Sequence, residues 1–387
     1  MKRLFLLLGC VLCLVGCSNK IEMSELGIVS GLGVDQTENG YRLSAQVINP
    51  SSVAGNHQDT LPVYILEAEG VSLYDAYREL NTMTSKTLYL PHLSVIVIDE
   101  AIAKKGINEV LDFTLRNVKI RPNISLVVAN ESSASEILKV LVPSETVPIN
   151  QLDAVANICE TCTSRVVRYN LYDVSGKVNA KGDNIVLNRV SIKGAKSETG
   201  EHVENILQSF SPTQLQMNGL VAFNSDQMVG FLTNQEAEIF NLLANQGNSV
   251  VIDKKQEDYW VTFEGRDGKV EMKPNIDAKK VTVKCEVKGE LMEINYPMDL
   301  SNPKNLADLE QYLADDVKAQ VEALLKKSQE ELKSDIFGVG RKVYQKEPKY
   351  WSQIEGYWNE IYPELTFEVD VKVKVASVGD IQNLVEQ

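Results

Sequence analysis

The sequence predicts an α+β protein of two or three domains. Mixed or antiparallel sheets pack against helices, and one long helix near 303–334 precedes a C-terminal strand. Three observations support this. Leu306, Leu309, Leu313, Val317, Val321, Leu324, Leu325 and Leu332 recur at three- and four-residue steps, the period of one helix face. Leu365, Phe367, Val369, Val371, Val373 and Val375 alternate with Glu368, Asp370, Lys372 and Lys374, as in a strand with one buried face. Leu93-Ser94-Val95-Ile96-Val97-Ile98 is apolar on both faces, which suits a central strand covered on each side. The chain of 387 residues fits two or three domains at about 150 residues each.

The elements follow in order. Residues 26–34 read as a first strand with glycines, and Tyr41, Leu43, Ala45 and Val47 alternate in a second. A polar loop over 49–60 leads to a strand at 63–68 and a helix over 72–83. After the 93–98 strand come an amphipathic helix over 101–117, a strand at 124–129 and a helix at 134–141. Residues 150–168 read as helix and 185–192 as strand. The polar, glycine-bearing stretch 194–218 is the expected linker or boundary between an N-terminal α+β domain (17–193) and a C-terminal α+β unit (219–387), which can hold two subdomains. A hairpin over 219–231 opens the second unit, and Thr233-Asn234-Gln235-Glu236 forms a capping box for the next helix. Strands follow near 250, 259–263 and 281–287.

Residues 1–16 read as a signal peptide. Lys2 and Arg3 precede an apolar run over 4–16, shorter than the roughly 20 residues a helix needs to span a bilayer. The run ends in Leu14-Val15-Gly16-Cys17, which resembles the bacterial lipobox, so Cys17 is the expected lipid-attachment residue. Two acyl chains, at about 0.8 kcal/mol per buried methylene, suffice for stable anchoring. The competing reading is an uncleaved amino-terminal anchor with a coincidental cysteine. No later segment carries an apolar run of spanning length.

A formal net charge of −14, or −16 once Lys2 and Arg3 are removed, repels phosphate backbones and argues against nucleic acid as a partner. Cys285 sits on the apolar face of Val281-Thr282-Val283-Lys284-Cys285-Glu286-Val287 and reads as core. Cys159-Glu160-Thr161-Cys162 is a C-x-x-C, open to a structural reading, a local disulfide or redox chemistry. His57, His92 and His202 stand alone and no second cysteine pair completes a zinc site; no cofactor or catalytic site is expected, while the 53 carboxylates leave glycosidase chemistry of a cell-envelope enzyme open on composition alone. H-E-x-x-H, G-x-S-x-G, S-x-x-K with its partners and a P-loop are all missing. Gly31-x-Gly33-x-x-Gln36 lacks the third glycine of a dinucleotide loop.

Several segments resemble one family when taken together. They are Glu25-Leu26-Gly27-Ile28-Val29-Ser30-Gly31-Leu32-Gly33-Val34-Asp35, Pro91-His92-Leu93 through Asp99-Glu100-Ala101 with Gly106, and Gly219 to Phe223 followed by Met228-Val229-Gly230-Phe231-Leu232. The last is Asp335-Ile336-Phe337-Gly338-Val339-Gly340 upstream of Pro348, Trp351, Trp358 and Pro363. In order and spacing they resemble the spore germination Ger(x)C family, the lipoprotein C subunits of nutrient germinant receptors. Two departures bear on subtype: Ser18-Asn19 stand where members often carry Trp-Asp, and Val339 where an aromatic is common.

The resemblance implies a non-catalytic assembly or signalling subunit, lipid-anchored through Cys17 to the outer face of the cell membrane, in spores the inner spore membrane. It also implies integral membrane subunits of the receptor as partners. The alternative is a solute-binding lipoprotein feeding a transporter, with a ligand cleft between domains. The motif residues Asp335, Phe337, Gly338, Gly340, Trp351 and Trp358 read as structural. The glycines are expected to end the long helix while Asp335 bonds amides in the turn, and the tryptophans, seven apart, to share one side of a helix in the core.

Overall fold

Strand-forming runs at both ends of the chain assemble into two sheets bridged by helices. The computed structural model describes residues 22–53, 61–162, 164–195, 197–246, 249–256, 259–277, 279–296 and 298–379. Cys17, Cys10, Cys13 and His57 lie outside the described residues, as do the side chains of Cys159 and Cys162.

In the first unit, β1 (Leu26–Thr37) and β2 (Gly40–Ile48) form a hairpin extended by β3 (Val63–Gly70). Helix α1 (Leu73–Leu80) returns the chain to β4 (Thr87–Tyr89) and β5 (Val95–Ile98). Then come α2 (Glu100–Lys105), α3 (Asn108–Arg116), β6 (Ser125–Ala129), α4 (Ala134–Lys139), α5 (Asn150–Cys162), α6 (Leu171–Val178) and β7 (Val186–Gly194). Strands β1, β5, β6 and β7 run parallel at the centre of the sheet, with antiparallel strands on either side. The mixed character has a local cause: helical crossovers join β5 to β6 and β6 to β7, and such connections make parallel neighbours. All four residues of β5 are buried, with Ile96 and Ile98 in the core under α1, α2 and α3, and Val95 and Val97 in the core under α4.

Three local expectations change. The single helix over 101–117 is two helices, broken at Gly106, where the Ile107 N–H turns to the Asp226 carbonyl at 3.0 Å. The helix begun at 150 stops at Cys162. Residues 164–169 form no helix or strand, and the backbone groups of Ser164, Val166 and Val167 are satisfied by the buried amides of Asn188 and Asn241. The first sheet also extends beyond 194: β8 (Thr213–Asn224) pairs with β7 from Gly194↔Thr213 onward, and β9 (Gln227–Leu232) pairs with β8. The hairpin at 219–231 is therefore hydrogen-bonded into the first sheet.

Helix α7 (Asn234–Leu243), opened by the Thr233–Glu236 capping box, carries the chain into the second sheet. That sheet has the order β10 (Val250–Gln256), β11 (Tyr259–Asn275), β12 (Lys280–Ile294) and β13 (Thr366–Ser377), with β12 and β13 parallel. Between them lies α8 (Pro303–Glu330), followed by α9 (Val339–Lys346), α10 (Pro348–Ile354) and α11 (Trp358–Ile361). The leucine–valine stripe of α8 is buried against this sheet together with Cys285, and one apolar core runs from that stripe through α7 to Val186 and Leu220 of the first sheet.

Candidate functional site at the Asp335 junction

The six motif residues 335–358 gather where the two sheets meet. Helix α8 ends at Glu330, before the glycines. The chain then turns inward at Ser334, whose hydroxyl donates to the Phe223 carbonyl of β8 at 2.6 Å, and reaches Asp335, 2% exposed. The Asp335 carboxylate accepts from the Val339 N–H at 2.9 Å, the Gly340 N–H at 2.8 Å and the Trp358 indole N–H at 3.0 Å. It thus satisfies amides at the first turn of α9, where the helix dipole favours negative charge. Burial pushes its carboxyl up to about 6, against the pull of these three donors, and Asp183 nearby adds to the rise.

Gly338 is left-handed at φ 65°, which glycine adopts without strain, and it caps the start of α9. The glycines therefore open the next helix instead of closing the long one. Gly340 is required by closeness: a Cβ there would lie 2.6 Å from the Trp351 ring and 2.7 Å from the Gly182 Cα. Trp351 and Trp358 lie on separate short helices joined by a tight turn, so no single helix aligns them. Their rings still pack edge to face, 5.1 Å apart and 2% and 4% exposed. The Phe337 ring rests 5.9 Å from Phe240 of α7.

The first unit supplies the other half. The Asn184 N–H donates to the Asp335 carbonyl at 2.9 Å, and the Arg341 N–H to the Gly182 carbonyl at 2.8 Å. The carboxylate of Asp183 is buried between Lys177 at 2.7 Å and Arg341 at 3.0 Å. The Asn224 amide donates to the Lys333 carbonyl at 3.0 Å. Gly182, Asp183 and Asn184 carry no sequence signal beyond the composition of a turn, so only the fold reveals their part.

A second motif aspartate works in the same way. Asp35, at the end of the glycine-bearing β1, accepts from the Ala134 and Ser135 N–H groups at 2.6 and 3.0 Å and so caps α4. Gly33 lets α4 approach, since a Cβ there would meet Leu138 at 2.9 Å and the Ala134 backbone at 3.2 Å. Burial lifts the Asp35 carboxyl to about 6, with Asp99 adding to the rise. His92 is exposed and its ring faces Tyr89 at 5.5 Å. The Cys285 thiol is buried and pushed up to about 12. Among the described residues, no group of three His, Cys, Asp or Glu is placed to hold a metal ion, and no helix is long and apolar enough to cross a membrane.

Ser334, Asp335, Trp358 and Asn224 all bond other parts of the same chain, in a two-sheet α+β body whose motif residues lie where its halves meet. Two family models match: "Spore germination protein N-terminal domain" over residues 19–192, and "Spore germination B3/GerAC like, C-terminal" over 218–379. Spore germination protein KC of Bacillus subtilis (strain 168) is 29% identical over 387 residues, covering 97% of this chain and 95% of that protein. Spore germination protein GerQC of Bacillus cereus is 23% identical, covering 98% and 99%. The crystal structure of the GerBC protein shares the fold at a TM-score of 0.55 and 20% identity, over 92% of this chain and 100% of that one. The chain belongs to the spore germination Ger(x)C family.

Proposed function

We propose that this chain is a lipid-anchored, non-catalytic subunit of a nutrient germinant receptor, needed for the complex to assemble or signal. It is cut before Cys17, held by lipid on that cysteine at the outer face of the cell membrane (in spores, the inner spore membrane), and docked onto the receptor's integral membrane subunits. The observation that carries the reading is the Asp335 junction. The motif residues that most resemble the family's are buried and bonded within the chain, where they link its two sheets, which supports a structural role for them. The family's spore germination proteins, matched along nearly their whole length, support the biological setting. A solute-binding protein would place its cleft between the two units. At the junction Gly340 has no room even for a Cβ.

Mass spectrometry of the mature protein tests the anchor. The expected product begins at Cys17 with a thioether-linked diacylglycerol, and Cys17→Ala leaves the precursor unprocessed or releases the protein from the membrane. A mature chain with a free, unacylated amino-terminal segment would reject it. Thermal shift against amino acids, sugars and nucleosides is expected to be flat, whereas a clear rise in Tm with one of them would favour solute binding.

A further inference from the structure

Four aromatic side chains line a groove of about 280 Å³ where the second sheet meets α8. Tyr259 and Trp260 begin β11, Tyr296 follows β12, and Tyr312 projects from α8; they are 43%, 44%, 47% and 41% exposed. Tyr259 and Tyr296 meet edge to face at 5.0 Å. The Trp260 backbone is pinned on both sides by Asn295, at 2.5 and 3.1 Å, so its indole stands on a fixed base. Asp308 joins the rim four residues before Tyr312, on the same side of α8. Lys254 also lines the groove, but its ammonium is held by Asp316 at 2.5 Å.

We infer that this groove docks a basic, arginine-bearing segment of a partner protein, its guanidinium stacked on Trp260 and the tyrosines and paired with Asp308. The chemistry is specific in three respects. A planar, weakly hydrated guanidinium stacks on aromatic faces and pairs with a carboxylate, a combination lysine matches less well. Clustered Tyr and Trp are the side chains that anchor protein interfaces. Among the described lining residues Asp308 is the exposed carboxylate, the charge of Lys254 is offset by Asp316, and the chain carries a net charge of −14, so the groove favours a cation over an anionic lipid headgroup. This inference extends the docking reading by giving the partner's chemistry. Its test needs no receptor, so its failure leaves that reading standing.

Trp260 supplies the readout. The chain has three tryptophans, and Trp351 and Trp358 are buried, so acrylamide quenching reports chiefly on Trp260. Full-length protein in detergent would be titrated with a capped peptide bearing two arginines, and with the same peptide carrying neutral citrulline. The arginine peptide is expected to protect Trp260 from quenching, less so at high salt, with the citrulline peptide and the Asp308→Asn variant about tenfold weaker. Equal affinity for citrulline, no effect of Asp308→Asn, or protection by phosphatidylglycerol vesicles in place of the peptide would overturn the proposal. No protection at all would overturn it too, provided Trp351 and Trp358 emission shows the protein folded.

Discussion

At the scale of single residues, the motif is best understood through Asp335. An ionised carboxylate can serve three donors at once, whereas an amide offers one oxygen and turns its NH₂ toward the remaining N–H groups. Asp335→Asn is therefore expected to lower unfolding stability at pH 7 by about 1–3 kcal/mol in urea titrations. The pH dependence has a defined sign. Because the folded pKa is raised to about 6, the wild-type contribution is complete below the unfolded carboxyl pKa and declines as pH rises through 6. The gap between wild type and Asp335→Asn should thus narrow between pH 4 and 7, by about 3 kcal/mol at most. A gap that widens over that range would show that the donors, not burial, set the titration. Asp35 should behave alike for the same reason.

Among elements, long periodic segments were the most legible. The stripe of α8 and the alternation of β13 are repeated many times, so tertiary contacts reinforce a pattern already present locally. The capping box at Thr233 and the core position of Cys285 follow from equally local chemistry. What stayed hidden depends on partners distant in sequence. The backbone of Ser164 and Val167 is satisfied by Asn241 and Asn188 far along the chain, and the parallel centre of the first sheet depends on where the crossovers land. The sequence of the turn at 335–340 points to the end of α8, whereas in the structure the amides bonded by Asp335 open α9, because glycines can open a helix as well as close one. The half of the junction from Gly182 to Asn184 has no periodicity to read. Two substitutions compare these cases. Gly340→Ala should cost about 1–3 kcal/mol by overpacking against Trp351 and Gly182, while Gly176→Ala, exposed in α6 with nothing near its Cβ position, should gain up to about 1 kcal/mol. Equal effects would mean the junction yields freely and is not rigid.

For the molecule as a whole, one apolar core runs from α8 to the first sheet and the bonded junction joins the two sheets. Such joining fits the proposed role of a subunit that acts by position, because a partner docked on one unit would then have a defined place relative to the other. Lipid at Cys17 would confine that body to the membrane plane, where two weak contacts reinforce one another through raised effective concentration. The measurement that bears most directly on this reading is purification of the full-length protein from detergent-solubilised spore membranes of its host, followed by identification of what accompanies it. Integral membrane proteins with several spanning helices, recovered in amounts comparable to the chain itself and retained through a second purification step, are the expected result. Recovery of the chain alone, folded and lipidated but without such partners, would contradict it.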